Sequence, residues 1–460
     1  MSNDRAQFQI GQHAGSVREV FALAAPLMIA HLSQSMMWVV DTFLMGRVGN
    51  AEQGAVGLGG VLFWAVVCFF AGTLTVVNIL VAQDYGAGRD DLARHVRTGL
   101  ALALPMSLIV LMIAPFVPEG LGLMHVTDEA RPHAESYLQI RLLGAPLMFA
   151  GFALTSYLRG IGDTVTPMVV VLAANVFNAI ASIILVFGLL GCPAMGVAGA
   201  AWGSVAAAAL ETLLYGVIYV FSKAAKAHGS RIVTLPRRED LAGFLSLGAP
   251  IGIAWLFEMV AWTSFSIYAG SRPPAELAAH TVLFQVTGFC FMPAMAIGIA
   301  ASTLVGQYLG AARSDLAKRS GRNAMALGVA YMVVVGGALA LLREPLMLAF
   351  NSDASVIALG TTLALIAAIY QPFDGFAIVA QGVLRGAKQT TVPTFITLGS
   401  GLFVFIPLVW FLGNKQGMGV TGAWLAAVVH VVVVAVLVGI AVMRSRACAK
   451  TSSQTIVSTA

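Results

Sequence analysis

Gln83-Asp84-Tyr85-Gly86-Ala87-Gly88-Arg89-Asp90-Asp91-Leu92-Ala93-Arg94 decides the fold, because the chain writes it twice, the second time as Gln307-Tyr308-Leu309-Gly310-Ala311-Ala312-Arg313-Ser314-Asp315-Leu316-Ala317-Lys318. The copies stand 224 residues apart, and Leu23-Ala24-Ala25-Pro26 returns as Leu247-Gly248-Ala249-Pro250 at the same separation. Leu158-Arg159-Gly160 with Pro167 returns as Leu384-Arg385-Gly386 with Pro393. Met195-Gly196-Val197 with Gly199 returns as Met418-Gly419-Val420 with Gly422, so the separation drifts only to 226 and 223. A spacing this steady over four blocks marks an internal duplication.

What is duplicated is apolar. The 460 residues are 58% hydrophobic and 10% charged, against about 25% charged in soluble domains. Apolar runs of about 20 residues recur along the chain, as membrane helices require, whereas a barrel would show short alternating segments. The chain reads as an all-α polytopic membrane protein with twelve transmembrane helices. They lie near 17–44, 55–82, 98–117, 136–157, 165–190, 197–221, 241–269, 277–306, 323–342, 355–384, 391–412 and 419–443. Six spans per half is an even number, so the two six-helix lobes share one orientation and are related by a pseudo-two-fold axis along the membrane normal. The expected organisation is an N-terminal tail over 1–16, an N-lobe over 17–222, a linker over 223–240, a C-lobe over 241–443 and a C-terminal tail over 444–460. Pro26, Pro250 and Pro372 are the expected bending points. The first apolar run is too long for the core of a signal peptide, so it is expected to stay as the first span.

Twenty of the 26 Lys and Arg residues fall in the termini and even-numbered loops, which puts both termini in the cytoplasm by the positive-inside rule. The net charge of +5 is spread over these loops, with no continuous basic face, and calls for no nucleic-acid partner. Cys68, Cys192, Cys290 and Cys448 are scattered, without CxxC or Cys/His spacing, so neither a cysteine-bound metal nor a disulfide is expected.

Against this apolar background the intramembrane acids stand out. A carboxylate at a helix centre costs roughly 2.5–3.5 kcal/mol on insertion scales, which makes each one a candidate ion or substrate site. Trp255-Leu-Phe-Glu258-Met-Val-Ala-Trp262 places indoles at i−3 and i+4 from Glu258, on one helical face. An acid between aromatic faces suits a cation; the plainer reading is an acid facing a water-filled vestibule. Asp374 follows Tyr370 by four residues, just past Pro372, so phenol, carboxylate and freed carbonyls form a set of oxygen ligands for an alkali ion. Asp41 closes the Gln34, Trp38 face of span one, where Trp38 equally fits an interfacial belt. At the repeat's separation these acids face Gln34, Met148 and Phe265, so they are additions to particular lobes of the duplicated scaffold.

Asn175, Asn178 and Ser182 make a polar stripe in span five that serves either interhelical hydrogen bonding or a substrate. Glu211 has only Tyr215 at helical spacing and ranks last among the acids. His31, His280 and His430 are isolated and read as helix-contact residues with satisfied hydrogen bonds. Met36, Met37, Met292 and Met295 read as packing that also suits a promiscuous wall.

Val40-Asp41-Thr42, Phe257-Glu258, Tyr370-Gln371-x-x-Asp374 and the Leu-Arg-Gly blocks near 158 and 384 resemble the NorM branch of the multidrug and toxic compound extrusion transporters, over essentially the whole chain. The resemblance implies efflux of organic cations in exchange for Na⁺ or H⁺ by a protein of the bacterial inner membrane. It assigns Glu258, Asp374 and Tyr370 to a second-lobe cation site, with Na⁺ as the metal expected there, and Asp41 to a first-lobe acid. Asn178 matches a polar first-lobe position of the family, but Ser182 stands where another Asn is expected. The second first-lobe acid of the DinF-like branch is absent. Gln34, Trp38, Asn175, Asn178, Trp255, Trp262, Phe284 and Gln285 are the candidates for the substrate cleft.

Antiport needs one set of acids that ion and drug cannot both satisfy. A desolvated carboxylate holds a proton or exchanges it for Na⁺, and either removes the charge that a cationic drug requires. One charge crossing 100 mV carries about 2.3 kcal/mol, enough for a drug gradient of roughly 50-fold. No GxxxxGK[ST] occurs, so no ATPase drives the cycle, and no cofactor is expected. The expected partners are the bilayer and small organic cations, with the chain working as a monomer. Two rivals remain. A lipid-linked oligosaccharide flippase would call for basic residues in the cleft, where Arg141 is the only one expected. A membrane enzyme would need a motif such as HExxH or GxSxG, and neither is present.

Overall fold

A computed structural model describes residues 10–124, 126–230 and 234–445, the side chains of Trp38 and Ala224 excepted. Among the described residues eleven helices are long and apolar enough to cross a membrane, and one bent pair brings the number to twelve. The N-lobe helices are α1 (Val17–Gly46), α2 (Asn50–Gly86), α3 (Ala93–Ile113), α4 (Arg131–Leu143 and Ala145–Gly160), α5 (Val165–Phe187) and α6 (Val197–Phe221). The C-lobe helices are α7 (Arg238–Gly270), α8 (Pro274–Gly310), α9 (Ser314–Leu341), α10 (Ala354–Gly386), α11 (Thr391–Lys415) and α12 (Gly419–Arg444).

Local chemistry sets the helix ends. Ser16 caps α1 by accepting the amide N–H of Glu19, and Asp353 caps α10 by accepting that of Ser355 at 2.7 Å. Both satisfy amides that the first turn leaves unpaired. Pro274 opens α8, where its missing N–H costs nothing. α1, α7 and α10 run unbroken through Pro26, Pro250 and Pro372. The irregularities lie elsewhere: α2 is interrupted at Thr75, α4 bends by 46° at Gly144, and α11 contains π-helical segments at Gly401–Phe405 and Phe411–Lys415.

Each lobe has its own buried core. One set of side chains, including Phe63, Phe149 and Tyr157, fills the N-lobe, and another, including Phe265, Leu363 and Trp424, fills the C-lobe. The lobes meet along two seams that are images of one another, α1 against α8 and α2 against α7. On the second seam a Cβ at Gly72 would lie 3.0 Å from the Cα of Gly252, so small residues let the backbones close up.

At one end of the bundle the seams are pinned by the repeat itself. The Gln83 side-chain amide donates to the Gly386 carbonyl at 2.8 Å, and its counterpart Gln307 donates to the Gly160 carbonyl at 2.8 Å. A Cβ at Gly86 would run into the Gln307 carbonyl, and one at Gly310 into that of Gln83. Asn78 and Thr303 add a buried bond at 3.0 Å. Asp84, held by Arg89 at 2.8 Å, Arg94 at 2.7 Å and His95 at 2.7 Å, reaches across electrostatically to Lys388. Burial pushes the Lys388 ammonium down from its ordinary range, and Asp84 opposes that shift. The start of α1 is held to the C-lobe as well, since the Tyr308 hydroxyl donates to Glu19 at 2.6 Å and the Asn323 amide to the Gly15 carbonyl at 2.7 Å. The residues that reveal the duplication are those that close this end.

Candidate functional site

Glu258 on α7 and Asp374 on α10 line one cavity of about 60 Å³ within the C-lobe. The walls include Phe257, Trp262, Gln381, Thr397, Gly401, Ile406 and His430, so α7, α10, α11 and α12 all contribute. A water takes about 30 Å³ of liquid, so the space suits one ion or two waters, not a drug-sized cation needing some 300 Å³ or more. Glu258 is the charge that Asp374 feels, and Arg385 on α10 is the opposing charge within reach of Glu258. Arg385 also donates to Gln381 at 3.2 Å. The Thr397 hydroxyl is buried and has no hydrogen-bond partner among the described residues, an arrangement that costs about 1–3 kcal/mol unless something polar fills the cavity. Two carboxylates and a hydroxyl make a hard-oxygen set that fits a small cation or proton-bearing water.

The other expected ligands are placed differently. Tyr370 is buried one turn before Asp374, with its ring against Trp424 at 6.3 Å and its hydroxyl near Thr287, outside the cavity wall. Trp255 does not line the cavity with Glu258, as the spacing suggests it would. Its indole faces Trp64 of α2 at 6.1 Å and packs over Gly72, where the glycine seam between the lobes leaves room for it. Trp262 does line the cavity, and its ring lies 5.9 Å from Phe284.

In the N-lobe, Asp41 is 6% exposed and faces the charge of Arg141, whose guanidinium sits 4.4 Å above the Phe63 ring. One Asp41 oxygen is buried without a hydrogen-bond partner among the described residues. The span-five stripe is bonded to neighbouring helices: Asn175 donates to Ser33 of α1 at 2.6 Å and Asn178 to Ser204 of α6 at 3.3 Å. Gln34 on α1 and Gln285 on α8 are exposed. The side chain of Trp38 lies outside the described residues.

Two expectations are corrected. His430 is not an isolated contact residue, because it lines the acid cavity and bonds Ser400 at 2.8 Å. His280 is not satisfied: both ring nitrogens lack a hydrogen-bond partner among the described residues, and the ring is held by Phe284, Phe265 and Trp424 instead. Two further bases come close to intramembrane acids. Arg385 approaches Glu258, and its repeat counterpart Arg159 approaches Glu211. The Leu-Arg-Gly repeat contained this signal, though it reads first as scaffold. Thr397 and Gln381 gave none, since a lone hydroxyl or amide in a long apolar run is ordinary helix glue.

Two six-helix lobes joined at related seams, with acids lining a small cavity inside one of them, make the architecture of a membrane transporter. The MatE family model matches residues 26–184 and again 250–411, and the chain belongs to that family. The two matched segments fall one in each lobe. A probable multidrug resistance protein NorM from Chromobacterium violaceum is 30% identical over 446 residues, covering 91% of this chain and 92% of the relative. One of the same description from Burkholderia mallei is 33% identical over 417 residues, covering 87% of each. A solved structure described as the outward-facing conformation of a multidrug resistance transporter of this family superposes with a TM-score of 0.85. Its identity is 19%, and 96% of this chain and all of that one are covered.

Proposed function

We propose that this chain is a multidrug efflux antiporter that exports cationic aromatic compounds in exchange for Na⁺, with protons competing for the same carboxylates. The observation that carries the reading is the pairing of Glu258 and Asp374 in a 60 Å³ cavity with an unpartnered hydroxyl. That is room for the coupling ion and too little for a drug. The drug therefore binds in the cleft between the lobes, against residues such as Gln34, Trp262, Phe284 and Gln285, and draws on the acid charge only once α11 moves. Ion and drug then compete through α11. Asp41 acts as a secondary acid of the N-lobe, with Arg141 supplying its counter-charge.

The proposed organisation keeps lobes over 17–222 and 241–443, a linker over 223–240 and two tails, in a bacterial inner membrane with both termini cytoplasmic and the chain acting as a monomer. The Gln83 and Gln307 end then faces the cytoplasm, so the described conformation opens outward. Ser271→Cys should react with a membrane-impermeant maleimide added outside intact cells; reaction only from the cytoplasmic side would reverse the orientation. Ethidium efflux from liposomes should follow an imposed Na⁺ gradient at fixed pH. Full efflux with a pH gradient alone, unaffected by Na⁺, would leave the antiport reading standing and assign the acids to protons.

A further inference from the structure

An open groove of about 880 Å³ runs between α9, α10 and α12 on the C-lobe, separate from the acid cavity. Its length is apolar, walled by Phe373, Phe376, Val436, Ile440 and Met443. One end is basic: Lys318, Arg319 and Arg322 lie in the first turns of α9. Asp315, the acid at this end, is neutralised by Arg313, which holds it at 2.8 Å and 2.9 Å. Arg319 and Arg322 are exposed and make no salt bridge among the described residues.

We infer that this groove binds an anionic phospholipid, with an acyl chain along the α10 and α12 aromatic and aliphatic wall and the phosphate on the Lys318, Arg319, Arg322 end. Charge complementarity selects the occupant. A neutral lipid fills the apolar length equally well but leaves Arg319 and Arg322 facing an uncharged headgroup, and basic pockets between membrane helices at the cytoplasmic surface are suited to anionic headgroups. The volume lies within the roughly 300–1,000 Å³ of small-molecule sites. The leaflet follows from the orientation proposed above, whereas the preference for negative charge does not depend on it. The headgroup end also adjoins the clasp on α1: a Cβ at Gly15 would lie 3.3 Å from the Arg319 side chain, and Asn323, one residue past Arg322, bonds the Gly15 carbonyl. A lipid held there braces the stretch of α9 that grips the N-lobe.

Native mass spectrometry of the full chain, titrated with dioleoyl-phosphatidylglycerol or dioleoyl-phosphatidylcholine, tests the site. The first bound phosphatidylglycerol should be retained about tenfold more strongly than phosphatidylcholine. That preference should vanish in Arg319→Gln/Arg322→Gln and survive in Lys223→Gln/Lys226→Gln, a basic pair of another surface. Val436→Trp, which fills the apolar length and leaves every charge, should also weaken the first site. Equal retention of the two lipids, or an unchanged preference in Arg319→Gln/Arg322→Gln, overturns the proposal. So does a preference that emerges only when the chain is ended at Ser445, because the groove would then be the seat of the chain's own last residues.

Discussion

At the repeat's separation, Asn175 of α5 corresponds to Gly401 of α11, and the two positions do opposite things. Asn175 ties an unbroken helix to Ser33 of α1, while Gly401 opens a π-helical segment that lines the acid cavity. A π segment widens the turn and loosens the backbone ladder, and such bulges gather at functional sites. The same contrast recurs at Asp41 and Phe265. The N-lobe has a carboxylate answered by Arg141, whereas the C-lobe has a ring packed against Trp262, Phe405 and Trp424. Duplication supplied one scaffold twice, and the two halves now differ at these positions: the N-lobe carries a helix-to-helix tie where the C-lobe carries a π segment beside two carboxylates.

The largest test of this contrast is removal of charge. Glu258→Gln and Asp374→Asn should each bring ion-driven ethidium efflux from liposomes down to the level of protein-free vesicles. Asp41→Asn at equal abundance should retain a measurable fraction, because Arg141 already balances that acid. If Asp41→Asn is the more damaging change, the assignment of roles to the lobes is reversed. Next in size is the mirrored closure. Gln83→Leu with Gln307→Leu removes two hydrogen bonds of about 1 kcal/mol each, so the open form at this end should gain roughly 30-fold in relative population. Maleimide labelling of Ser302→Cys, buried against Gly386 at this end, reads that population; unchanged labelling would mean that the glutamines do not hold it shut.

Smaller effects separate glue from site. Asn175→Ala should lower stability by about 1 kcal/mol in a detergent melting experiment, the worth of one hydrogen bond, while efflux per folded molecule stays within about threefold. A selective loss of transport would place Asn175 in the substrate path. Tyr370→Phe is expected to do least, changing the apparent Na⁺ affinity less than about fivefold, since Tyr370 is not among the residues that line the cavity.

What the sequence made legible was whatever periodicity or burial cost imposes on every residue of a type. The repeat located both lobes and, through Gln83 and Gln307, the contacts between them. The insertion cost of a charge singled out Glu258 and Asp374 before any geometry was known. Direction around a helix was less legible. Spacing put Trp255 and Trp262 on one face of Glu258, yet the seam at Gly72 and Gly252 draws Trp255 to the other lobe. His430 and Thr397 reach the cavity because of how α11 and α12 pack, and the π segments that shape α11 leave no mark in an apolar run such as Leu402-Phe-Val-Phe-Ile406.

The most direct measurement is Na⁺-gradient-driven ethidium efflux at fixed pH from liposomes holding the native chain, Glu258→Gln, Asp374→Asn or Asp41→Asn at equal abundance. Coupling through the C-lobe cavity predicts efflux in the native chain, none above background in either C-lobe variant and a reduced but gradient-dependent rate in Asp41→Asn. Gradient-driven efflux that persists in Glu258→Gln and Asp374→Asn would contradict it.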